Sequence, residues 1–341
     1  MSGMIPIRIT DYLRLHPVRG LNGPLQARPL SESPEEHRFL LLAGDQRAVL
    51  ACYTQHGTRR AQREAAGLWT GGKLGLAPAL LLTESEGGPL GGAVLAWAQP
   101  EGTSLGGRLL SDTEVRQWAF LLLTVHHLAP DQVRVQGGAG NDLAIWWRST
   151  QAAWEASRIA LTPTSTQPLL AALTRLRAVV SARVEARKSL WHNLRPRPTH
   201  GSPIPSNIYI GKRPMLVEWG GFGLADPAME VGHVAANAAI SGEMSIEAGA
   251  KLIDEYLAGM RDLGDRTLDE RVEVFASVAP LGESFELIRS IGRAGLPPQQ
   301  RQANLRRLVS ALTWTQKTLG TLVGDARELV MPLASDGNGG I

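Results

Sequence analysis

The sequence holds a single cysteine and no long apolar run. Cys52 has no second cysteine to pair with, and its apolar neighbours predict a buried, inert thiol. No apolar stretch reaches the roughly eighteen residues that would predict a membrane-spanning helix. Arg8, Asp11, Arg14 and Arg19 interrupt the first residues, so no signal peptide is predicted. A cytoplasmic location is the resulting expectation.

Runs of basic residues are missing as well. The 341 residues include 35 Lys and Arg against 32 Asp and Glu, which leaves a net charge of only +3. Nucleic-acid binding therefore has no support in the sequence. The hydrophobic share of 43% is enough for a sizeable core and argues against wholesale disorder. The length fits one two-lobed enzyme or two ordinary domains.

The first hundred residues contain short apolar runs separated by turn residues. A Gly-Asp pair at 44–45 lies between two such runs and is typical of a hairpin. Helix-forming residues over 59–69 predict a helix that stops at the glycine pair 71–72. Residues 5–15 fit either a short strand or a short helix. The predicted strands are residues 38–43, 47–53, 77–83 and 92–98.

From Ser111 onward the pattern becomes helical. Ser111 followed by Glu114 forms a capping box, which predicts that a helix starts there. Residues 137–141 are predicted to form a loop and residues 334–341 a disordered tail. The predicted helices in this part are residues 115–128, 169–191, 228–240, 246–263, 268–281, 283–293 and 298–319.

The segment 198–230 carries the most informative motif. A His-Gly turn begins at His200, and Asn207 follows it. Two short apolar runs joined by a tight turn come next, and the second ends at Glu218. The segment closes with an Asp-Pro pair at Asp226, which is expected to cap the following helix. Two strands with polar residues at their outer ends predict a hairpin that brings those ends to one place.

This order of residues resembles the catalytic segment of the aminoglycoside phosphotransferase / choline kinase family. The family pattern is His-Gly-Asp-x-x-x-x-Asn, strand, turn, strand, Asp-Trp and then Asp-Pro, and its spacing is kept here without a gap. The resemblance implies an α+β, two-lobed protein-kinase-like fold, with a small antiparallel-sheet N-lobe and a mainly helical C-lobe. The implied limits are residues 1–98 for the N-lobe, 99–102 for the hinge and 103–333 for the C-lobe, which carries the hairpin.

The resemblance also implies a set of site residues. Ser202 stands at the position of the family's catalytic Asp, and Glu218 at that of a metal-binding Asp, with Asn207 as the second metal ligand. Magnesium and ATP are the implied cofactors if the chain is active. Glu64 is the implied helix carboxylate that holds a phosphate-gripping lysine. Gln99 lies in the hinge, close to where an adenine would dock.

Several of these positions have a second interpretation. A serine hydroxyl such as that of Ser202 is no general base at neutral pH without an activator. His200 is, in this family, a structural residue of the turn. Asn207 could stabilise the turn instead of binding a metal, and Glu64 could be an exposed helix residue. The longer side chain of Glu218 could misplace magnesium, which demands near-octahedral geometry.

Two other parts of the family's machinery are absent. The phosphate-covering loop falls at residues 31–37, which contain no Gly and three Glu and would repel a triphosphate. The strand lysine should fall near Ala51, yet the first lysine of the chain is Lys73. Arg47 is the nearest cation, but it lies at the start of the strand, and its planar guanidinium is no simple replacement.

Three functions fit these observations. The first is a catalytically impaired pseudokinase that serves as a binding or regulatory module for an unknown small molecule or protein. The alternative is an active ATP- and Mg-dependent small-molecule phosphotransferase, in which another carboxylate, Asp142 or Glu243, reaches the acceptor. The third uses Ser202 as a nucleophile beside His200.

The substrate side leaves two further alternatives open. Four acidic residues could line an acceptor cleft, as in the family, or could form a solvated helix face. Three tryptophans in a predicted helical region could form an aromatic wall for a choline-like cation or pack in the core. The acidic residues are Glu243, Glu247, Asp254 and Glu255, and the tryptophans are Trp146, Trp147 and Trp154.

Overall fold

A computed structural model of the chain describes residues 4–133, 143–192 and 194–335. The chain forms two compact units. The sheet unit comprises Met1–Leu105, Thr124–Ala139 and Arg197–Ala225, and the helical unit comprises Gly106–Leu123, Gly140–Pro196 and Asp226–Ile341. The predicted α+β class, with an antiparallel sheet and a mostly helical remainder, is confirmed. The predicted limits of the lobes and the hinge stay predictions.

Five antiparallel strands form the main sheet, in the order β1-β2-β3-β5-β4. The four predicted strands are confirmed, and residues 5–15 belong to a helix. The edge strand β1 was not predicted because its sequence is polar and contains Pro29, a residue tolerated at sheet edges. The elements are α1 Met4–Leu15, β1 Gln26–Glu32, β2 Glu36–Ala43, β3 Gln46–Tyr53, α2 Thr58–Lys73, β4 Leu80–Glu84 and β5 Val94–Ala98.

The two faces of this sheet differ because side chains alternate along each strand. On one face, Ile9 and Leu13 of α1 share a hydrophobic core with Phe39 and Cys52. Cys52 is fully buried, as predicted, and burial raises the pKa of its thiol to about 12. The opposite face carries a charged side chain, Arg38, which is central to the candidate site.

Helix α2 continues through Gly71 and Gly72 to Lys73, so the predicted stop at this glycine pair is wrong. Gly67 and Gly71 are packing positions. A Cβ atom at Gly67 would lie 2.6 Å from Trp219 Cβ, and one at Gly71 would lie 2.8 Å from the Trp219 ring. Small residues are needed where this helix meets the indole, and these tertiary contacts outweigh the low helix propensity of glycine.

Five short strands complete the sheet unit. They form a three-stranded sheet in the order β6-β8-β9 and a two-stranded sheet of β7 and β10. The predicted hairpin is confirmed, with Ile208 opposite Leu216 and Ile210 opposite Pro214. The strands are β6 Thr103–Ser104, β7 Arg197–Thr199, β8 Ile208–Ile210, β9 Pro214–Leu216 and β10 Gly223–Ala225.

The remaining helices supply most of the helical unit. Both predicted caps are confirmed: Ser111 and Glu114 exchange backbone-to-side-chain hydrogen bonds, and Asp226 Oδ1 accepts the Ala228 backbone N–H at 3.0 Å. None of the helices described is long and apolar enough to cross a membrane. The helices are α3 Asp112–His126, α4 Leu143–Arg158, α5 Gln167–Arg187, α6 Pro227–Ile240, α7 Ile246–Met260, α8 Leu268–Ile291, α9 Pro298–Leu319 and α10 Ala326–Ser335.

One prediction about the helical unit is wrong. Residues 268–281 and 283–293 were predicted as two helices, but α8 is continuous through Pro280. Pro280 is buried, and Gly282 lies against Thr150, so packing holds the helix where local propensity would break it. The predicted tail overlaps the end of α10; residues 336–341 and the predicted loop 137–141 lie outside the described residues.

Candidate functional site

The turn before the hairpin brings together three of the predicted site residues. The Ser202 backbone N–H donates to His200 Nδ1 at 3.3 Å, and Asn207 Nδ2 donates to the Ser202 carbonyl at 2.9 Å. Gly201 has φ +93°, and a Cβ atom there would lie 2.5 Å from the Gly221 backbone, so only glycine fits. The side chains of His200 and Asn207 therefore stabilise the turn. The catalytic position of Ser202 and the metal role of Asn207 stay predictions.

Glu218 lies at the other end of the hairpin in an unusual backbone conformation. Its φ of 66° and ψ of 52° are left-handed, and no other non-glycine residue in the described part of the chain has a positive φ. Such strain persists only where surrounding contacts hold it. Glu218 Oε1 accepts a hydrogen bond from Arg38 Nη1, and Glu218 Oε2 lies 3.6 Å from Arg60 Nη2.

Arg38 is the central cation of the site, and sequence reasoning missed it. It lies on β2 directly opposite Ala51 of β3, the position at which the family's lysine was expected. Directly paired residues on neighbouring strands project from the same face of a sheet. The Arg38 guanidinium donates from Nε to Glu36 Oε1 at 3.0 Å and from Nη2 to Glu64 Oε2 at 3.3 Å. An arginine from the adjacent strand thus meets the helix glutamate in place of a lysine.

Glu64 is completely buried, so its interpretation as an exposed helix residue is wrong. Its Oε1 accepts the Trp219 backbone N–H at 3.2 Å, and its Oε2 accepts the Tyr53 hydroxyl at 3.3 Å in addition to Arg38. Burial raises the pKa of Glu64, while the nearby Arg38 charge acts in the opposite direction. Glu64 therefore joins α2 to the end of the hairpin.

Trp219 anchors this junction. Its indole N–H donates to the Leu216 carbonyl at 2.8 Å, and its ring meets the His200 ring edge-on at a centroid distance of 4.5 Å. The same indole fills the space left by Gly67 and Gly71. The buried tryptophan thereby fixes the position of the adjacent Glu218.

The charges of the site are paired within the chain. Three carboxylates, from Glu36, Glu64 and Glu218, face the guanidinium groups of Arg38 and Arg60. Magnesium requires several oxygen ligands in octahedral geometry. Among the described residues, no group of three or more His, Cys, Asp or Glu side chains is arranged to hold a metal ion. Glu218, the other predicted metal ligand, already faces two arginines, and its metal role also stays a prediction.

Gln99 does not join this cluster. Its backbone N–H donates to the Arg47 carbonyl at 3.2 Å, and both residues line an open pocket of about 550 Å³. Ala51, opposite Arg38, pairs with Leu95 on β5, and Gln99 is four residues beyond Leu95. That spacing corresponds to roughly 13 Å along an extended strand. The predicted adenine position and the Arg38 cluster are therefore separate places in the sheet unit.

Two of the four acidic residues considered for substrate binding have partners of their own. Glu243 Oε1 accepts the Gly107 backbone N–H at 2.9 Å, and Glu247 binds Lys317 at 2.7 Å. Asp142, the other carboxylate considered for the acceptor, lies outside the described residues.

The predicted tryptophan cluster separates into different environments. Trp154 is buried beside Phe285 at a ring distance of 5.0 Å, as in the core-packing alternative. Trp146 is half-buried, and its ring meets His233 at 4.8 Å. The three tryptophans thus give no evidence of a common aromatic wall.

One sequence signal could have identified Arg38. It is the single charged residue within the otherwise apolar run 38–43. A buried strand keeps a charge only if a partner lies on the same face of the sheet. Arg60 has no comparable signal, because it belongs to a helix start that already contains three arginines.

No protein-family model matches the sequence, and no curated protein matches it either. Solved structures of phosphotransferases do match its fold. The GDP complex of aminoglycoside 2′-phosphotransferase-IIIa matches with a TM-score of 0.58 at 14% identity, over 90% of this chain and 98% of that chain. This chain has the fold of the aminoglycoside phosphotransferases.

Two further structures of this fold support the assignment. The choline kinase LicA from Streptococcus pneumoniae has a TM-score of 0.53 at 13% identity, with 92% and 99% of the two chains covered. The spectinomycin phosphotransferase APH(9)-Ia, in complex with ADP and spectinomycin, has a TM-score of 0.51 at 11% identity, with 97% and 98% covered. The two-lobed protein-kinase-like fold implied by the sequence motif is confirmed.

Proposed function

We propose that the chain is a catalytically impaired phosphotransferase-fold protein, a pseudokinase, that acts as a cytoplasmic binding or regulatory module for a small molecule or a protein. The observation that carries this proposal is the Arg38 guanidinium, which faces Glu36, Glu64 and Glu218. A guanidinium already held by three carboxylates is poorly placed to bind a phosphate. The carboxylate at the metal position is likewise engaged.

The turn supports the same proposal. Phosphoryl transfer on this fold needs a group that orients or deprotonates the acceptor hydroxyl, and Ser202 provides none at neutral pH. His200 Nδ1 accepts a backbone N–H and is therefore not set to take the proton of the Ser202 hydroxyl. The alternative of a His200–Ser202 nucleophile pair has no support in this geometry.

The decisive experiment measures magnesium-dependent ATP binding and turnover by the purified chain. We expect neither a shift of the melting temperature with ATP and magnesium nor any release of ADP, with and without candidate acceptors. Glu218→Ala is the informative variant, and Glu247→Ala is the matched control, since Glu247 is an exposed helix carboxylate bound to one lysine. ATP turnover that is lost in Glu218→Ala and kept in Glu247→Ala would overturn the proposal.

A second candidate is an active ATP-dependent small-molecule phosphotransferase. It is favoured by the Arg38–Glu64 ion pair, which stands where the family's lysine–glutamate pair was expected. Arg38 would then grip the phosphates after exchanging one of its carboxylate partners. In that case ATP should raise the melting temperature of the wild-type chain and lose this effect in Arg38→Met. The absence of an ATP effect on the wild type would exclude this candidate.

A further inference from the structure

The helical unit contains a cavity of about 250 Å³ between three helices. Each of α4, α6 and α8 contributes four lining residues at positions i, i+3, i+4 and i+7, which is one face of each helix. The faces span residues 146–153, 233–240 and 279–286. The exposed side chains of Ser149 and Glu286 border the cavity, so it can be entered from solvent.

Small residues create this space. Ala153, Ala236 and Ala279 place only a methyl group on each facing helix, and Gly282 places none. A Cβ atom at Gly282 would lie 3.0 Å from Thr150 Oγ1. The tight approach of α8 to α4 at this point leaves the Thr150 hydroxyl beside the cavity without covering it.

Polar groups line the cavity, and one of them lacks a hydrogen-bond partner. His233 Nδ1 is buried and has no hydrogen-bond partner among the described residues. Thr150, which is 5% exposed, and the half-buried Asn237 line the same cavity. Buried polar groups are nearly always paired in folded proteins. The unpaired His233 Nδ1, with two further polar side chains beside the same cavity, therefore indicates a ligand that completes it.

The three polar groups that line the cavity are uncharged. Burial lowers the pKa of His233 to about 4, against the opposing effect of Glu230, so its imidazole is neutral near pH 7. The two carboxylates at the rim already have arginine partners: Glu283 binds Arg307, and Glu286 binds Arg289. No cationic side chain lines the cavity. A charged ligand would leave its charge uncompensated on entering, whereas an uncharged polar ligand would not.

We propose that this cavity binds a small uncharged molecule with a flat ring and an amide-like group that both donates and accepts hydrogen bonds. Thr150, His233 and Asn237 recognise the amide-like group, because each can exchange hydrogen bonds with it. Trp146, whose ring meets the His233 ring at 72°, provides the aromatic wall for the flat ring. This site is independent of the Arg38 cluster and of the proposed loss of catalysis.

Three probes that share one ring and differ in charge test the proposal on the full chain. Benzamide is uncharged, benzylamine is a cation near pH 7, and benzoate is an anion. Titration calorimetry should show one benzamide site that binds at least about tenfold more tightly than either charged probe. Equal or tighter binding of benzylamine or benzoate would overturn the assigned ligand class. The absence of benzamide binding at about 10 mM would overturn the site.

Two isosteric substitutions separate ligand recognition from folding. Thr150→Val and Asn237→Leu each remove a polar group that lines the cavity and keep the side-chain volume, so each should leave the melting temperature nearly unchanged. Each should also weaken benzamide binding by about tenfold or more. Undiminished benzamide affinity in both variants would overturn the proposal, since the probe would then bind elsewhere.

Thr315→Val is the matched control. Thr315 is another buried helix threonine, but its hydroxyl donates to the Ala311 carbonyl at 2.8 Å, and it is not among the residues that line the cavity. This variant should lower the melting temperature and leave benzamide binding unchanged. Gly282→Ala provides a second blocking variant that favours the helix and narrows the cavity beside Thr150. It should weaken benzamide binding without unfolding the chain.

Discussion

Each unit contains a buried arginine that binds carboxylates, and the two clusters differ in how well their charges are balanced. In the helical unit, Arg271 is 1% exposed, and it donates from Nε and Nη2 to the two oxygens of Asp226 at 3.0 and 3.2 Å. Asp226 also accepts the Trp191 indole N–H and the Ala228 backbone N–H, both at 3.0 Å. Arg271 thus binds Asp226 in a bidentate geometry, and each oxygen of Asp226 accepts two hydrogen bonds.

The Arg38 cluster of the sheet unit lacks that balance. Arg38 serves three carboxylates, its helper Arg60 is 38% exposed on its side chain, and Glu218 has a left-handed backbone. An arginine–carboxylate pair with all its hydrogen bonds satisfied stabilises the fold. Crowded carboxylates and backbone strain are instead typical of functional sites. Burial of an arginine–carboxylate pair therefore does not identify a functional site by itself. Charge balance and strain are more informative.

Removal of Arg271 should have the largest effect. Arg271→Met leaves Asp226 buried without its counter-ion and should lower the free energy of unfolding by about 3–5 kcal/mol. Urea unfolding followed by circular dichroism measures this loss. Arg266→Met is the control, because Arg266 is exposed in the loop that precedes α8 and should change stability by less than about 0.5 kcal/mol. Equal effects of both substitutions would contradict the structural role of Arg271.

Removal of Arg38 should lower the free energy of unfolding by less than removal of Arg271, and the size of this loss should depend on pH. Arg38→Met should lower the free energy of unfolding by about 3 kcal/mol near pH 7, because Arg60 remains to offset part of the charge. The folded-state pKa of Glu64 is raised by burial, and loss of Arg38 raises it further. Folding then takes up a proton, so stability is retained at low pH and lost as pH rises through the raised pKa.

The pH dependence can be assigned to one group. The loss of unfolding free energy in Arg38→Met, relative to the wild type, should be larger at about pH 8 than at about pH 5. Adding Glu64→Gln should remove most of this difference, because the uncharged amide does not titrate. A deficit that grows toward low pH would contradict the role assigned to Glu64.

Two glycines of α2 form a matched pair that tests how the helix meets Trp219. Gly67→Ala places a Cβ atom 2.6 Å from Trp219 Cβ and should lower stability by about 1–3 kcal/mol. Gly72→Ala meets its nearest atom, the Pro78 carbonyl oxygen, at 3.9 Å and should raise stability by up to about 1 kcal/mol. Thermal unfolding of the two variants compares them directly. Similar shifts for both would argue against the Trp219 contact.

The smallest effect is expected where the carboxylates are in excess. Glu218→Gln keeps the side-chain shape, removes one of three negative charges around Arg38, and should change stability by less than about 1 kcal/mol. Asp226→Asn removes the corresponding charge from the balanced cluster and should cost about 3 kcal/mol. Chemical denaturation of both variants measures the contrast. A large loss in Glu218→Gln would show that Glu218 fastens the fold as Asp226 does.

Local signals account for the parts of the structure that could be predicted. Ser111 with Glu114 and Asp226 before a proline specify helix starts through neighbours in the chain, and both caps are present. The hairpin at 208–216 follows from two apolar runs and a tight turn. The aminoglycoside phosphotransferase fold was predictable because this hairpin motif keeps the spacing of the family.

Non-local packing accounts for the parts that could not be predicted. Helix α2 continues through Gly71 because Trp219, far along the chain, fills the space beside it. Helix α8 continues through Pro280 because its buried contacts outweigh the local cost of proline. The position of Arg38 opposite Ala51 depends on the register of β2 against β3, and local sequence patterns do not specify this register.

Residue identity and spacing alone predict that Ser202 and Glu218 stand where the family has two aspartates, and Ala51 where it has a lysine. The fold brings Arg38 beside Glu64 and pairs Arg38 with Glu218 as well. An ion pair forms between groups that lie close together in space, however far apart they are in the sequence. Strand register and helix packing alone bring those groups together.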